Sequence, residues 1–184
     1  LRIFGSLEGK SVGDISPQYC MLPDDGVAHM QRLAPKAKVI FLLRDPVDRA
    51  ISAGKMKAGE DHAVLTDALV REKAFIPFQL EMSRYSASLK RFEKYFPGRI
   101  HTGFLEDIIT DPLSLLEQLC AFLGVSYDAK FFTRMDVVAN EGAKFSASAG
   151  LKRDLLQELR PEYDLLAKRF PERVEKWLAK HAAP

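Results

Sequence analysis

The chain has 184 residues, 47% of them apolar, with 27 Lys and Arg against 25 Asp and Glu and a formal net charge of +2. That is enough for one substantial core and sets the expectation of a single domain over residues 1–184. The dispersed, nearly balanced charge argues against a nucleic-acid or anionic-membrane binder while leaving room for a compact anionic ligand, and the longest apolar run, Val39 to Leu43, is too short to span a bilayer.

In chain order, a strand is expected over Val12 to Ser16, ended by Pro17, and a short helix over Asp25 to Leu33. Val39-Ile-Phe-Leu-Leu43 is continuously apolar and rich in β-branched residues, the pattern of a parallel strand buried on both faces. Asp45-Pro46-Val47-Asp48 then supplies a capping carboxylate, a Pro at the first helical position and an acid three residues after the cap, so a helix should run from there to about Lys57, before Gly59. Residues from Ala63 to Phe96 read as mostly helical, with Leu65, Leu69, Leu80, Leu89 and Phe92 as core candidates and an interruption at Pro77. After Pro97-Gly98, Arg99 to Leu105 reads as a second strand, with Glu106-Asp107 capping its turn. Asp111-Pro112 opens a helix closed by Gly124, Asn140 to Gly150 is a loop, and Leu151 onward is helical with Pro161 and Pro171 as punctuation. Alternating strands and helices predict an α/β fold.

Cys20 and Cys120 lack CxxC spacing and a His-rich neighbourhood, so buried thiols are expected rather than a disulfide or a zinc site. His29, His62, His101 and His181 show no metal-ligand or triad spacing and receive no role.

The chemistry-bearing stretch is Leu42-Leu43-Arg44-Asp45-Pro46. It sets a permanent cation just beyond a buried strand, at the carboxyl edge where open α/β sheets bind ligands. Arg49 and Ser52 are three apart on the following helix and so share a face, from which the Ser52 hydroxyl can donate towards the same crevice. From spacing alone two readings stand: a grip on a dianionic phosphate, or an Arg44 ion pair with Asp45 or Asp48.

Phe41-Leu-Leu-Arg-Asp-Pro-Val-Asp-Arg-Ala-Ile-Ser52 resembles the 3′-phosphate-binding motif of sulfotransferases that use 3′-phosphoadenosine 5′-phosphosulfate (PAPS), in which an Arg ends a strand, a Pro opens the helix and a Ser follows the Arg by eight residues. Gly13-Asp-Ile-Ser-Pro-Gln-Tyr19 resembles the Gly-Glu-Lys-Ser-Pro-x-Tyr segment of heparan-type and bacterial members, with Ile15 where many of them carry Lys. Tyr85 to Pro97 resembles the family's helix ending in Phe-Pro, and the strand leading to Leu105-Glu106-Asp107 its acidic-ended strand; Asn140-Glu-Gly-Ala-Lys144 falls where a loop folds over the nucleotide.

The resemblance implies a P-loop NTPase-like parallel sheet flanked by helices, lacking its first strand and phosphate-binding turn, in a chain corresponding to the C-terminal two-thirds of the domain. It implies Arg44, Ser52, Arg49 and Lys144 as cofactor-binding residues and Asp14, Tyr19 and Tyr85 as acceptor-pocket residues, with the catalytic base upstream of Leu1. The implied reaction is sulfuryl transfer from PAPS to a hydroxyl or amine of a small-molecule, carbohydrate or lipid acceptor. It leaves adenosine 3′,5′-bisphosphate, needs no metal and involves no nucleic acid. The expected setting is the bacterial cytoplasm, with the Golgi lumen as the alternative. An ATP-using kinase-like P-loop protein and a non-catalytic sulfotransferase-like binding module are the rivals.

Overall fold

The computed structural model describes residues 12–61, 64–133 and 144–182. After a 3-10 turn (Pro17–Met21) come α1 (Asp24–Leu33), β1 (Val39–Leu43), α2 (Pro46–Asp61), α3 (Asp67–Ala74), α4 (Pro77–Glu81) and α5 (Tyr85–Tyr95). The chain continues through β2 (Ile100–Phe104), α6 (Leu105–Thr110), α7 (Pro112–Leu123), a short 3-10 turn (Ala129–Phe131), α8 (Ala149–Ala167) and α9 (Pro171–Ala182). The result is mostly helical around a small parallel sheet. β1 and β2 pair in parallel from Val39 opposite Ile100 to Leu43 opposite Phe104, so both carboxyl ends finish level.

Local chemistry explains most boundaries. Thr66 caps α3 by accepting from the Leu69 amide, Asp111 caps α7 through the Ser114 amide with Pro112 at the first helical position, and Ser148 caps α8 through the Leu151 amide. Gly124 ends α7 at φ 80°, a left-handed position that costs glycine nothing.

The main core joins the sheet to α2, α3, α5, α8 and α9 through Leu43, Val47, Ile51, Val70, Leu89, Phe104, Leu151, Leu155, Tyr163 and Trp177. A smaller cluster of Val27, Phe92 and Phe96 seats α1 against α5 and reaches β1, where Phe41 meets Phe92 edge-on at 5.3 Å. At Gly54 the backbones of α2 and α3 touch: a Cβ there would stand 2.6 Å from the Val70 carbonyl oxygen.

Several expectations need correction. Residues 12–16 form no strand; the Asp14 side chain instead accepts locally from Ser16 and Tyr19, an alternative to ladder pairing. Helix α2 runs through Gly59 to Asp61, and Gly150 lies in the first turn of α8 rather than in a loop. Pro161 does not break α8, because buried Leu155, Leu159, Tyr163 and Leu166 hold both sides of it to the core. Strand β1 is not buried on both faces: Ile40 is 37% and Leu42 53% exposed, since among the described residues only β2 pairs with it and the helical core covers its Phe41 side. Cys20 and Cys120 are free thiols, the first half-buried and the second buried. Among the described residues, no helix is long and apolar enough to cross a membrane.

Candidate functional site

The site begins where β1 leaves the core. Leu43 is buried, Arg44 is half-buried, and Asp45 is fully buried at the mouth of α2. Asp45 Oδ1 accepts from the amides of Val47 (2.9 Å) and Asp48 (3.3 Å), as the capping pattern requires, and also from the Tyr163 hydroxyl at 2.6 Å. The Val47 amide also reaches the Tyr163 oxygen at 3.3 Å. Oδ2 lies 2.8 Å from His181 Nε2; an ionised carboxylate only accepts, so Nε2 carries the hydrogen. Burial by itself would raise the Asp45 carboxyl, but the hydrogen bonds from His181 and Tyr163 prevail and hold it below the ordinary carboxylate range.

Helix α9 supplies more than His181. Lys180 pairs with Asp48, Trp177 Nε1 donates to Glu106 at 2.7 Å, and Arg173 pairs with Asp107 at 2.6 Å. Arg173, Trp177, Lys180 and His181 recur at helical spacing, so a single face of α9 serves the carboxyl ends of both strands. Glu106 and Asp107, expected to cap a turn, open α6 directly after β2 and are held by this face.

The consequence falls on Arg44. Its acidic neighbours are engaged by His181, Tyr163 and Lys180. Among the described residues Arg44 makes no ion pair, and its Nε is buried without a hydrogen-bond partner. A buried, unmatched guanidinium nitrogen is costly unless something outside the chain completes it. Asp45, Asp48 and His181 each offer a ligand atom within 4.8 Å of the others, but Lys180 already sits on Asp48 and Asp45 accepts from four donors, so the cluster is a hydrogen-bonded brace.

The other expected site residues divide into two groups. Ser52, half-buried, lies on α2 two turns beyond Arg44. Arg49 turns away towards α4, donating to the Gln79 carbonyl at 2.6 Å and to Met82 Sδ at 3.2 Å; burial lowers its pKa. Tyr85 is a core residue packed with Leu43 and Val47: burial pushes its phenol up strongly, against the nearby Arg49 guanidinium. Asp14 and Tyr19 form their own exposed pair, and that hydrogen bond raises the Tyr19 phenol. Their segment is tied to α5 by Ser88 Oγ, which donates to the Cys20 carbonyl at 2.7 Å, and burial first, against the influence of nearby Arg49, raises the Cys20 thiol. Ile15 is 95% exposed. Lys144 is exposed, and Asn140 to Ala143 lie outside the described residues, as does His62.

An open cleft of about 520 Å³ lies between the first 3-10 turn, α4 and α8, lined by Met21, Pro77, Phe78, Leu80, Arg84 and Glu158 among others, and by none of the expected site residues. Sequence reasoning missed His181, Tyr163, Lys180, Trp177 and Arg173. His181, given no role, is instead a buried partner of Asp45, with its side chain only 2% exposed. The sole hint in the sequence was the polar and aromatic stripe on the last helix, which does not name its target.

A family model described as the sulfotransferase family matches residues 15–129. No curated protein sequence matches the chain. Among solved structures, the crystal structure of a sulfotransferase from Alicyclobacillus acidocaldarius superposes with a TM-score of 0.71 at 24% identity, covering 96% of this chain and 71% of that one. At that identity the likeness establishes the fold, which is the P-loop NTPase-like fold of that structure.

Proposed function

The chain belongs to the sulfotransferase family, and from that premise we propose that it transfers a sulfuryl group from PAPS to a hydroxyl or amine, with Arg44 and Ser52 holding the 3′-phosphate. The observation that carries this reading is the buried Arg44 Nε without a partner, beside carboxylates that are already engaged elsewhere. Such an arrangement suits a bound phosphate, which offers several acceptor oxygens to a guanidinium. Ser52, on the helix that Arg44 precedes, adds a neutral donor.

PAPS supplies the activated sulfuryl group: its bond to the phosphate oxygen breaks as a bond to the acceptor forms, the acceptor proton departs, and adenosine 3′,5′-bisphosphate leaves. The residues of this chain act by orientation. Arg44 and Ser52 grip the nucleotide far from sulfur, and that binding energy fixes the register of the reacting bond. Asp14 and Tyr19 border the acceptor side, and the acceptor is a small molecule, carbohydrate or lipid. Lys144 is a further contact to the nucleotide. Tyr85 packs in the core with Leu43 and Val47, which flank the motif's Arg44, and Arg49 fastens α4 to α2. The reading takes residues 1–184 as one sulfotransferase-like domain in a bacterial cytoplasm, a setting supported by two free cysteines.

Calorimetry with adenosine 3′,5′-bisphosphate against AMP tests the assignment. A charge-assisted hydrogen bond of about 1.5–3 kcal/mol corresponds to roughly a ten- to hundredfold preference for the bisphosphate. The preference should vanish in Arg44→Ala and shrink in Ser52→Ala. A protein that binds both nucleotides equally overturns the reading.

A further inference from the structure

We infer that His181 is a positioning residue for the 3′-phosphate clamp: by occupying the Asp45 carboxylate it keeps that carboxylate from pairing with Arg44. The inference rests on the assignment of Arg44 made above and concerns a helix that this assignment does not involve.

Arg44 and Asp45 are adjacent, both at the mouth of α2, and an ion pair between them is what the sequence alone would permit. Two elements from the far end of the chain prevent the pair. Tyr163 from α8 occupies Oδ1 at 2.6 Å and His181 from α9 occupies Oδ2 at 2.8 Å. The amides of Val47 and Asp48 complete Oδ1, and Lys180 draws Asp48 away in the same manner. Without His181, Oδ2 would be a fully buried acceptor with no partner, and such a group recruits whatever donor lies within reach. Lys180 is held by Asp48 and Arg49 by Gln79 and Met82, which leaves Arg44, with its unmatched buried Nε. A guanidinium turned onto Asp45 would no longer be available to an incoming anion.

The test measures the ratio of bisphosphate to AMP affinity in the full-length gene product. Partial unfolding lowers both apparent affinities by the same fraction and leaves their ratio intact, so the ratio reports the clamp rather than general stability. His181→Ala should reduce the preference at least tenfold, and His181→Gln, which keeps a donor near the Nε2 position, should retain most of it. Adding Asp45→Asn to His181→Ala should restore it, because the competing charge is gone. Full preference in His181→Ala overturns the inference, as does a loss that Asp45→Asn fails to rescue. A wild-type protein without any preference, or an Arg44→Ala variant that keeps it, is a different result: it overturns the assignment of Arg44 on which the inference stands.

Discussion

Two glycines of α2 should respond in opposite directions to the same substitution. Replacing Gly by Ala inside a helix gains about 1 kcal/mol from backbone propensity. At Gly59 nothing stands within 4 Å of the added methyl group, so Gly59→Ala should collect most of that gain. At Gly54 the methyl carbon would lie 2.6 Å from the Val70 carbonyl oxygen, 3.0 Å from Ala74 Cβ and 3.1 Å from the Ala74 amide nitrogen. The first distance is roughly 1 Å inside optimal contact, and the obstacle is backbone that cannot rotate aside. Overpacking costs about 1–3 kcal/mol; with a rigid neighbour the upper end applies, and the net loss is about 2 kcal/mol. For a protein of this size each kcal/mol moves Tm by about 2–4 °C, so Gly54→Ala should melt about 4–8 °C lower and Gly59→Ala up to about 4 °C higher. Paired urea and thermal unfolding read both. Equal shifts of the same sign, or a Gly54→Ala protein as stable as wild type, would refute the close approach of α2 and α3.

Acid should weaken the Asp45 brace. Its carboxyl is held below the unfolded value of about 3.9, so the stability it contributes is present above that pH and is lost as pH falls through the depressed folded value. Unfolding free energy followed from pH 5 to pH 2 should therefore fall more steeply in wild type than in Asp45→Asn; parallel curves would contradict the hydrogen bonds assigned to it. Arg49→Ala removes the donor to the Gln79 carbonyl. It should cost about 2 kcal/mol, seen as a lower urea midpoint, while leaving the ratio of bisphosphate to AMP affinity unchanged; a collapsed ratio would return Arg49 to the phosphate site.

What was legible in the sequence was local. The apolar run ending at Leu43, the Asp45-Pro46 start and the glycine after α7 each act within a few residues, and strand, cap and helix end stand where these signals put them. The family motif is local too: it sets Arg44 just before α2 and Ser52 two turns along it. Some failures were local, as where the Asp14 side chain takes hydrogen bonds from Ser16 and Tyr19 in place of a strand, but those at the site depended on distant partners. The i, i+3 spacing puts Arg49 and Ser52 on one face, but a long guanidinium reaches Gln79, thirty residues on. An apolar run does not say whether both faces are covered, so the exposure of Leu42 was invisible. His181 lies 136 residues beyond Asp45, and only the packing of α9 across the strand ends joins them.

The central claim is that Arg44 Nε awaits an anion, and the most direct measurement is the nitrogen-edited NMR resonance of that N–H, identified by its loss in Arg44→Lys. Adenosine 3′,5′-bisphosphate should shift this resonance and slow its exchange with water, while AMP at equal saturation leaves both unchanged. Bisphosphate binding that leaves the Arg44 resonance unmoved would contradict the account.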